Sequence, residues 1–164
     1  MPDMLVKLYE LPSNEQLLQD LRAHGVVIRR ANAHEKRHVL RFAKEEFHPG
    51  WADECDVAFG HQPISCFIAV ENEAVIGFAC YDVTRKGFFG PTAVLDTAQG
   101  RGIGKALLLA ALKALWDEGH AYAIIGGAGP TGFYEKHCNA TVIPDSSPGV
   151  YGNKIRSELD PPTP

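Results

Sequence analysis

The chain is 164 residues long, 45% hydrophobic, and carries a net charge of −4. That length suits one domain with a substantial core. The absence of a basic run argues against nucleic acid as the main partner, and an acidic surface favours cationic substrates such as amines. No apolar stretch reaches membrane-spanning length, and Met1 to Lys7 lacks the charged start and apolar core of a signal peptide. Four cysteines (Cys55, Cys66, Cys80, Cys138) form no Cys-x-x-Cys pair, so buried free thiols in a cytoplasmic protein are expected.

In chain order, Met4 to Leu8 reads as a short strand. Ser13-Asn14-Glu15-Gln16 is a capping-box pattern opening a helix with Leu17, Leu18 and Leu21 on one face, and Gly25 suits its stop. Val26 to Arg30 reads as a strand. Asn32 caps a second helix to about Phe47, with Val39, Leu40, Ala43 and Phe47 at helical spacing. Pro49-Gly50 breaks it, and Trp51 to Phe59 reads as a short helix. Ser65 to Glu71 and Ala74 to Tyr81 form a hairpin closed at Asn72-Glu73. Simple alternation from that turn puts Cys66 opposite Ala79, so Cys66 and Cys80 are expected on opposite faces of the sheet. Phe88 to Leu95 is a further strand, and Lys105 to Glu118 a helix apolar nearly all round, hence mostly buried. After the strand Ala123 to Gly126, a short helix is expected over about Phe133 to Cys138. Val150-Tyr151 reads as a returning strand, and the Pro-rich end as loose. No repeat and no dividing linker is present, so one domain covers 1–164, with 1–25 as an N-terminal extension and 155–164 as a tail.

The richest motif is Gln99-Gly100-Arg101-Gly102-Ile103-Gly104-Lys105, between a strand and the long apolar helix. The first turn of a helix has N–H groups without intrahelical partners, and its macrodipole is positive there. Glycines let a diphosphate approach the main chain, while Arg101 and Lys105 add charge. The P-loop spacing fails, because Gln99 and Ala106 replace the required Gly and Ser/Thr; the dinucleotide fingerprint fails for want of its third glycine. Gln/Arg-x-x-Gly-x-Gly/Ala does fit, as Gln99, Gly102 and Gly104.

That pattern resembles the coenzyme A pyrophosphate loop of the GNAT superfamily of acyl-CoA-dependent N-acetyltransferases. The resemblance extends from about Val26 onward: hairpin, strand, loop, long helix, strand, then Phe133-Tyr134-Glu135-Lys136, similar to the family's tyrosine-bearing helix. It implies an α/β fold, with a mixed, largely antiparallel sheet flanked by helices on both faces. It implies acetyl-CoA as co-substrate, no metal, and transfer to a primary amine of a small molecule or a peptide N-terminus. The pyrophosphate would lie on the N–H groups of Gly100, Arg101, Gly102, Ile103, Gly104 and Lys105, the pantetheine arm along the main chain of Val94, and Tyr134 would protonate the leaving thiolate. Gly90-Pro91 would be a bulge freeing an N–H for the thioester carbonyl. Candidate bases are Glu45, Glu46, His48, Asp53 and Glu54. Relative to the family, the segment before Val26 is extra, and reads as a cover for an edge strand or as a homodimer element. Gly126 and Gly127 stand where an asparagine is common, and imply room for an acyl group larger than acetyl.

Two other motifs compete. His34-Glu35-Lys36-Arg37-His38 matches the zinc hydrolase pattern, but its charged interior reads better as a solvated helix face. Gly127-Ala128-Gly129-Pro130-Thr131-Gly132 follows a strand as a dinucleotide loop would, yet Pro130 removes an N–H from it. A turn lining the acyl end of the cleft is preferred. A non-catalytic acyl-CoA-binding module on the same fold is the alternative to a transferase.

Overall fold

The computed structural model of the protein describes residues 1–153 and Ile155; apart from Ile155, the expected loose tail lies outside them. The elements are β1 (Met4–Lys7), α1 (Glu15–Ala23), β2 (Val26–Arg30), α2 (Lys36–Glu46), α3 (Pro49–Phe59), β3 (Cys66–Glu71), β4 (Ala74–Tyr81), β5 (Phe88–Val94), α4 (Ile103–Asp117), β6 (Tyr122–Ile125), α5 (Thr131–Cys138) and β7 (Thr141–Val142). Seven strands form one sheet in the order β2-β3-β4-β5-β6-β1-β7. Every neighbouring pair is antiparallel except β5 and β6. Helices α1 and α4 share one apolar core with the sheet, and α2 and α3 share a second on its other face. This is the expected mixed α/β architecture. Among the described residues, no helix is long and apolar enough to cross a membrane.

The hairpin closes where expected. Asn72 and Glu73 both take positive φ, 48° and 62°, the conformation of the two-residue turn whose twist matches paired strands. Alternation then fails. Glu71 faces Ala74 and Val70 faces Val75, but Ala69 faces Gly77, so Ile76 is an extra residue and Cys66 faces Cys80, not Ala79. The bulge turns Phe78 and Cys80 onto the α2–α3 side, where Cys55 and Cys66 also lie. Cys55 Sγ and Cys80 Sγ are 3.7 Å apart, and all four cysteines are free and buried. The two hairpin cysteines therefore share a face, contrary to simple alternation.

Three further expectations are corrected. The N-terminal segment does not cover an edge: β1 lies inside the sheet between β6 and β7, with Met4 and Val6 wholly buried. Its apolar alternation needs both neighbours, which the chain supplies only more than a hundred residues later. The Ser13 box does not form. Ser13 Oγ accepts only the Glu15 N–H, at 3.3 Å, whereas Asn32 and Glu35 make a reciprocal capping box over a 3₁₀ turn before α2. Val150-Tyr151 lies in a 3₁₀ turn, Gly149–Tyr151, rather than a strand.

Candidate active site

Strand β5 pairs with β6 only at Phe88–Ile124 and Phe89–Ile125. Beyond Phe89 it carries one residue more than β4 at Gly90-Pro91, since Tyr81 faces Phe89 but Ala79 faces Thr92. This is the bulge expected there. Past it, β5 stays with β4 and leaves β6, opening the sheet into a cleft of about 1210 Å³. One wall is Gly90 to Val94, and the other is Ile125 to Pro130. The N-terminus of α4 closes one end, and Phe133, Tyr134 and His137 of α5 project into it.

The glycine loop folds with left-handed turns and unpaired backbone N–H groups. Gly102 is the residue before α4 and takes φ +84°; Gly100 takes +76°. These left-handed turns aim successive N–H groups the same way. The first helical bond of α4 runs from the Ala106 N–H to the Gly102 carbonyl, and among the described residues no backbone acceptor meets the N–H groups from Gly100 to Lys105. The helix starts two residues earlier than expected, because Gly102 ends the loop and Ile103 can then pack wholly inside. Helix α1 backs the loop. Asn14 Nδ2 donates to the Ala106 carbonyl at 3.0 Å, and a Cβ at Gly102 would lie 3.0 Å from Leu17 Cδ1.

Of the anticipated residues, Val94, Gln99, Gly100, Gly102, Ile103, Gly104, Lys105 and Tyr134 line this one cleft. Arg101 does not. Its guanidinium makes a two-pronged pair with Glu71 of the β3–β4 hairpin at 2.6 and 3.1 Å, so it braces the loop from outside and brings no charge to the cradle. Gln99 turns back on its own turn, donating to Asp96 Oδ1 at 2.8 Å and weakly to the Val94 carbonyl at 3.5 Å. Lys136 and His137, not anticipated as site residues, join Lys105 along the cleft. Burial first, then the charges of Lys105 and Lys136, lower the His137 pKa and favour its neutral ring.

Tyr134 is packed edge-on against Phe89 (6.2 Å between ring centres) and Phe133 (5.3 Å). It is only 6% exposed, yet its hydroxyl has no hydrogen-bond partner among the described residues and faces the cleft. Burial pushes its phenol up to about 12, so it holds its proton at neutral pH. A protonated, unpartnered hydroxyl in a largely apolar cleft is poised to donate.

The competing motifs have other duties. Glu35 grips Arg29 at 2.5 and 2.8 Å and accepts the Asn32 N–H at 2.7 Å, which holds its carboxyl at about 2. His34 lies in the 3₁₀ turn and not on the helix of His38. Among the described residues, no three His, Cys, Asp or Glu side chains gather as a metal site. In the second glycine loop, the Gly127 N–H donates to Asp3 Oδ1 and the Ala128 N–H to the Pro2 carbonyl, each at 2.8 Å. Those amides are already used to fasten the cleft wall to the residues just before β1. Nor do Gly126 and Gly127 leave extra acyl room: Cβ atoms there would lie 2.5 and 3.4 Å from Tyr151, which fills that space.

A family model described as the Acetyltransferase (GNAT) family matches residues 29–139. None of the curated proteins compared matches the chain. Among solved structures, a GCN5-related glucosamine N-acetyltransferase region of a fungal multi-domain GH3 β-N-acetylglucosaminidase superposes with a TM-score of 0.70 at 14% identity, over 87% of this chain and 19% of that one. A GCN5-related N-acetyltransferase from Sphaerobacter thermophilus gives 0.65 at 18% identity, over 87% and 48%. A GNAT family acetyltransferase from Brucella melitensis, in complex with acetyl-CoA, gives 0.56 at 20% identity, over 73% and 88%. The chain thus spans about a fifth and about half of the first two of these proteins. From hairpin to tyrosine helix, the sheet, the opened strands and the glycine cradle follow the matched stretch, and this chain belongs to the GNAT acetyltransferase family.

Proposed function

We propose that the protein transfers an acetyl group from acetyl-CoA directly to a primary amine. The observation that carries the reading is the cleft itself, with free N–H groups at one end and a protonated tyrosine inside. The relative from Brucella melitensis that binds acetyl-CoA shares the fold and supports it.

The residues fit a long polyanionic thioester. The N–H groups from Gly100 to Lys105, with the Lys105 ammonium, would hold a pyrophosphate. The exposed edge of β5 up to Val94 offers main-chain groups to an extended amide-bearing arm, as an added strand would use them. The thioester supplies an activated acyl carbon. The amine nitrogen forms its bond to that carbon as the carbon–sulfur bond breaks, and Tyr134 gives its proton to the departing sulfur. The proton on the new amide nitrogen leaves to solvent, which also reprotonates Tyr134. Lys105 and Lys136 keep the anionic co-substrate at their end of the cleft.

The test is the thermal midpoint with saturating acetyl-CoA, with NAD as control. Ligand at one hundred times its dissociation constant adds about 2.7 kcal/mol, or roughly 5–10 °C for a domain of this size. A shift with acetyl-CoA alone is expected; no shift at millimolar acetyl-CoA overturns the reading.

A further inference from the structure

Away from Lys105 and Lys136, the cleft is lined by a carboxylate, with the Met1 ammonium held beside Ser147 at 3.5 Å. Of the five candidate bases, Glu54 alone lines the cleft, and Glu45, Glu46 and Asp53 point to solvent. His48 is spent as the cap of α3, its Nδ1 accepting the Gly50 N–H at 3.0 Å. Trp51 and Glu54, three apart on α3, share a face, and both line the cleft. From the β4–β5 connection, Thr84 Oγ1 donates to Glu54 Oε1 at 2.5 Å and fixes the carboxylate. Oε2 has no hydrogen-bond partner among the described residues. From a third direction comes Tyr151, whose phenol is raised above its usual range by burial first and then by the charges of Glu54 and Asp3. Arg85, on the same connection as Thr84, is exposed and donates to the Thr84 carbonyl.

From this convergence we infer that Trp51, Glu54, Thr84 and Tyr151 form the acceptor subsite, and that it takes an organic ammonium with no carboxylate beside the nitrogen. This rests on the acyl-transfer reading and narrows it to a substrate class. The free carboxylate oxygen pairs with the ammonium, which gives up one proton to solvent before its nitrogen attacks, and repels an acceptor carboxylate. The indole and phenol rings suit a cation and its hydrocarbon body. Glu54 thus sets the charge of the acceptor, as Lys105 and Lys136 set that of the co-substrate.

Phenethylamine and phenylalanine, which differ by one carboxylate, are compared by release of coenzyme A thiol, while calorimetry measures acetyl-CoA binding separately. The wild type should favour phenethylamine in kcat/KM by about tenfold or more. Glu54→Gln should raise the phenethylamine KM by about tenfold and shrink that preference, leaving the acetyl-CoA Kd within about twofold. Equal use of phenylalanine, an unchanged KM in Glu54→Gln, or acetyl-CoA binding with neither amine acetylated overturns the subsite. Absence of acetyl-CoA binding instead overturns the acyl-transfer reading, and the subsite with it.

Discussion

Two glycines of the cradle have left-handed backbones but different surroundings, so alanine at each should fail differently. At Gly100 nothing lies within 4 Å of an added Cβ, whereas at Gly102 it meets Leu17 Cδ1 at 3.0 Å. The left-handed conformation costs an alanine about 1–2 kcal/mol at either site. Crowding against Leu17 adds about 1 kcal/mol at Gly102 only, because a partly buried leucine must shift by a few tenths of an ångström. At about 2–4 °C per kcal/mol for a domain this size, Gly100→Ala should lower the thermal midpoint by roughly 2–8 °C and Gly102→Ala by roughly 4–12 °C. Binding should rank the other way. A methyl at Gly100 stands in the open space where an anion would approach the main chain; loss of one charge-assisted hydrogen bond there weakens acetyl-CoA by about tenfold or more. Calorimetric Kd values and scanning melts on both variants, together with Leu17→Ala and its double with Gly102→Ala, test this directly. The double should recover about 1 kcal/mol relative to additivity. Equal melts for the two glycine variants with no coupling to Leu17 would refute the argument that α1 buttresses the loop.

Tyr134→Phe should lower kcat by about a hundredfold or more, with the acetyl-CoA Kd and the melting point nearly unchanged, since the lost hydroxyl has no protein partner; unchanged turnover would remove the proton-donor role. With its phenol at about 12, any alkaline fall in activity near pH 10 should persist in that variant. Glu35→Gln should cost about 1–2 kcal/mol after allowance for solvent at the half-exposed Arg29. The Glu35 carboxyl is lowered from its usual 4.5 to about 2, so this difference should be complete above pH 4.5 and vanish as pH falls toward 2, measurable by urea titrations across that window. A chromogenic disulfide reagent at pH 8 should find all four thiols unreactive until the protein is unfolded: burial lifts Cys138 to about 11, while hydrogen bonds with Cys55 and Cys66, then burial, raise Cys80 well above the ordinary thiol range.

Local chemistry was legible in the sequence where it acts over a few residues. The Asn72-Glu73 turn, the Asn32 cap, the bulge at Gly90-Pro91 and the glycine cradle each declare themselves through conformations that few other residues adopt. The Phe-Tyr-Glu-Lys helix lies where its resemblance placed it. What escaped reading depends on distant partners. Alternation cannot reveal that Ile76 is an extra residue, because either face of β4 is apolar there. Arg101 looks like a phosphate ligand until Glu71 arrives from another hairpin. Glu54 is one of five candidate bases in the sequence, but Trp51, Thr84 and Tyr151 are unremarkable singly, and only packing brings them beside it. Lys136 ends the tyrosine motif and His137 follows it directly, and a helical projection from Phe133 would have pointed to His137.

The place of β1 sets the true boundary of the folding unit. A fragment cut to the matched stretch, 29–139, keeps the cradle, the bulge and Tyr134 but discards the strand that seals β6. It would present an unpaired apolar edge, a template for association between chains. The anchor that Asp3 gives to Gly127 would go with it. β1 must wait for β6 and β7, more than a hundred residues further on, so the sheet closes only through contacts of very high sequence separation. The cleft wall carried by β6 is therefore completed only when β1 joins it, late in the closing of the sheet.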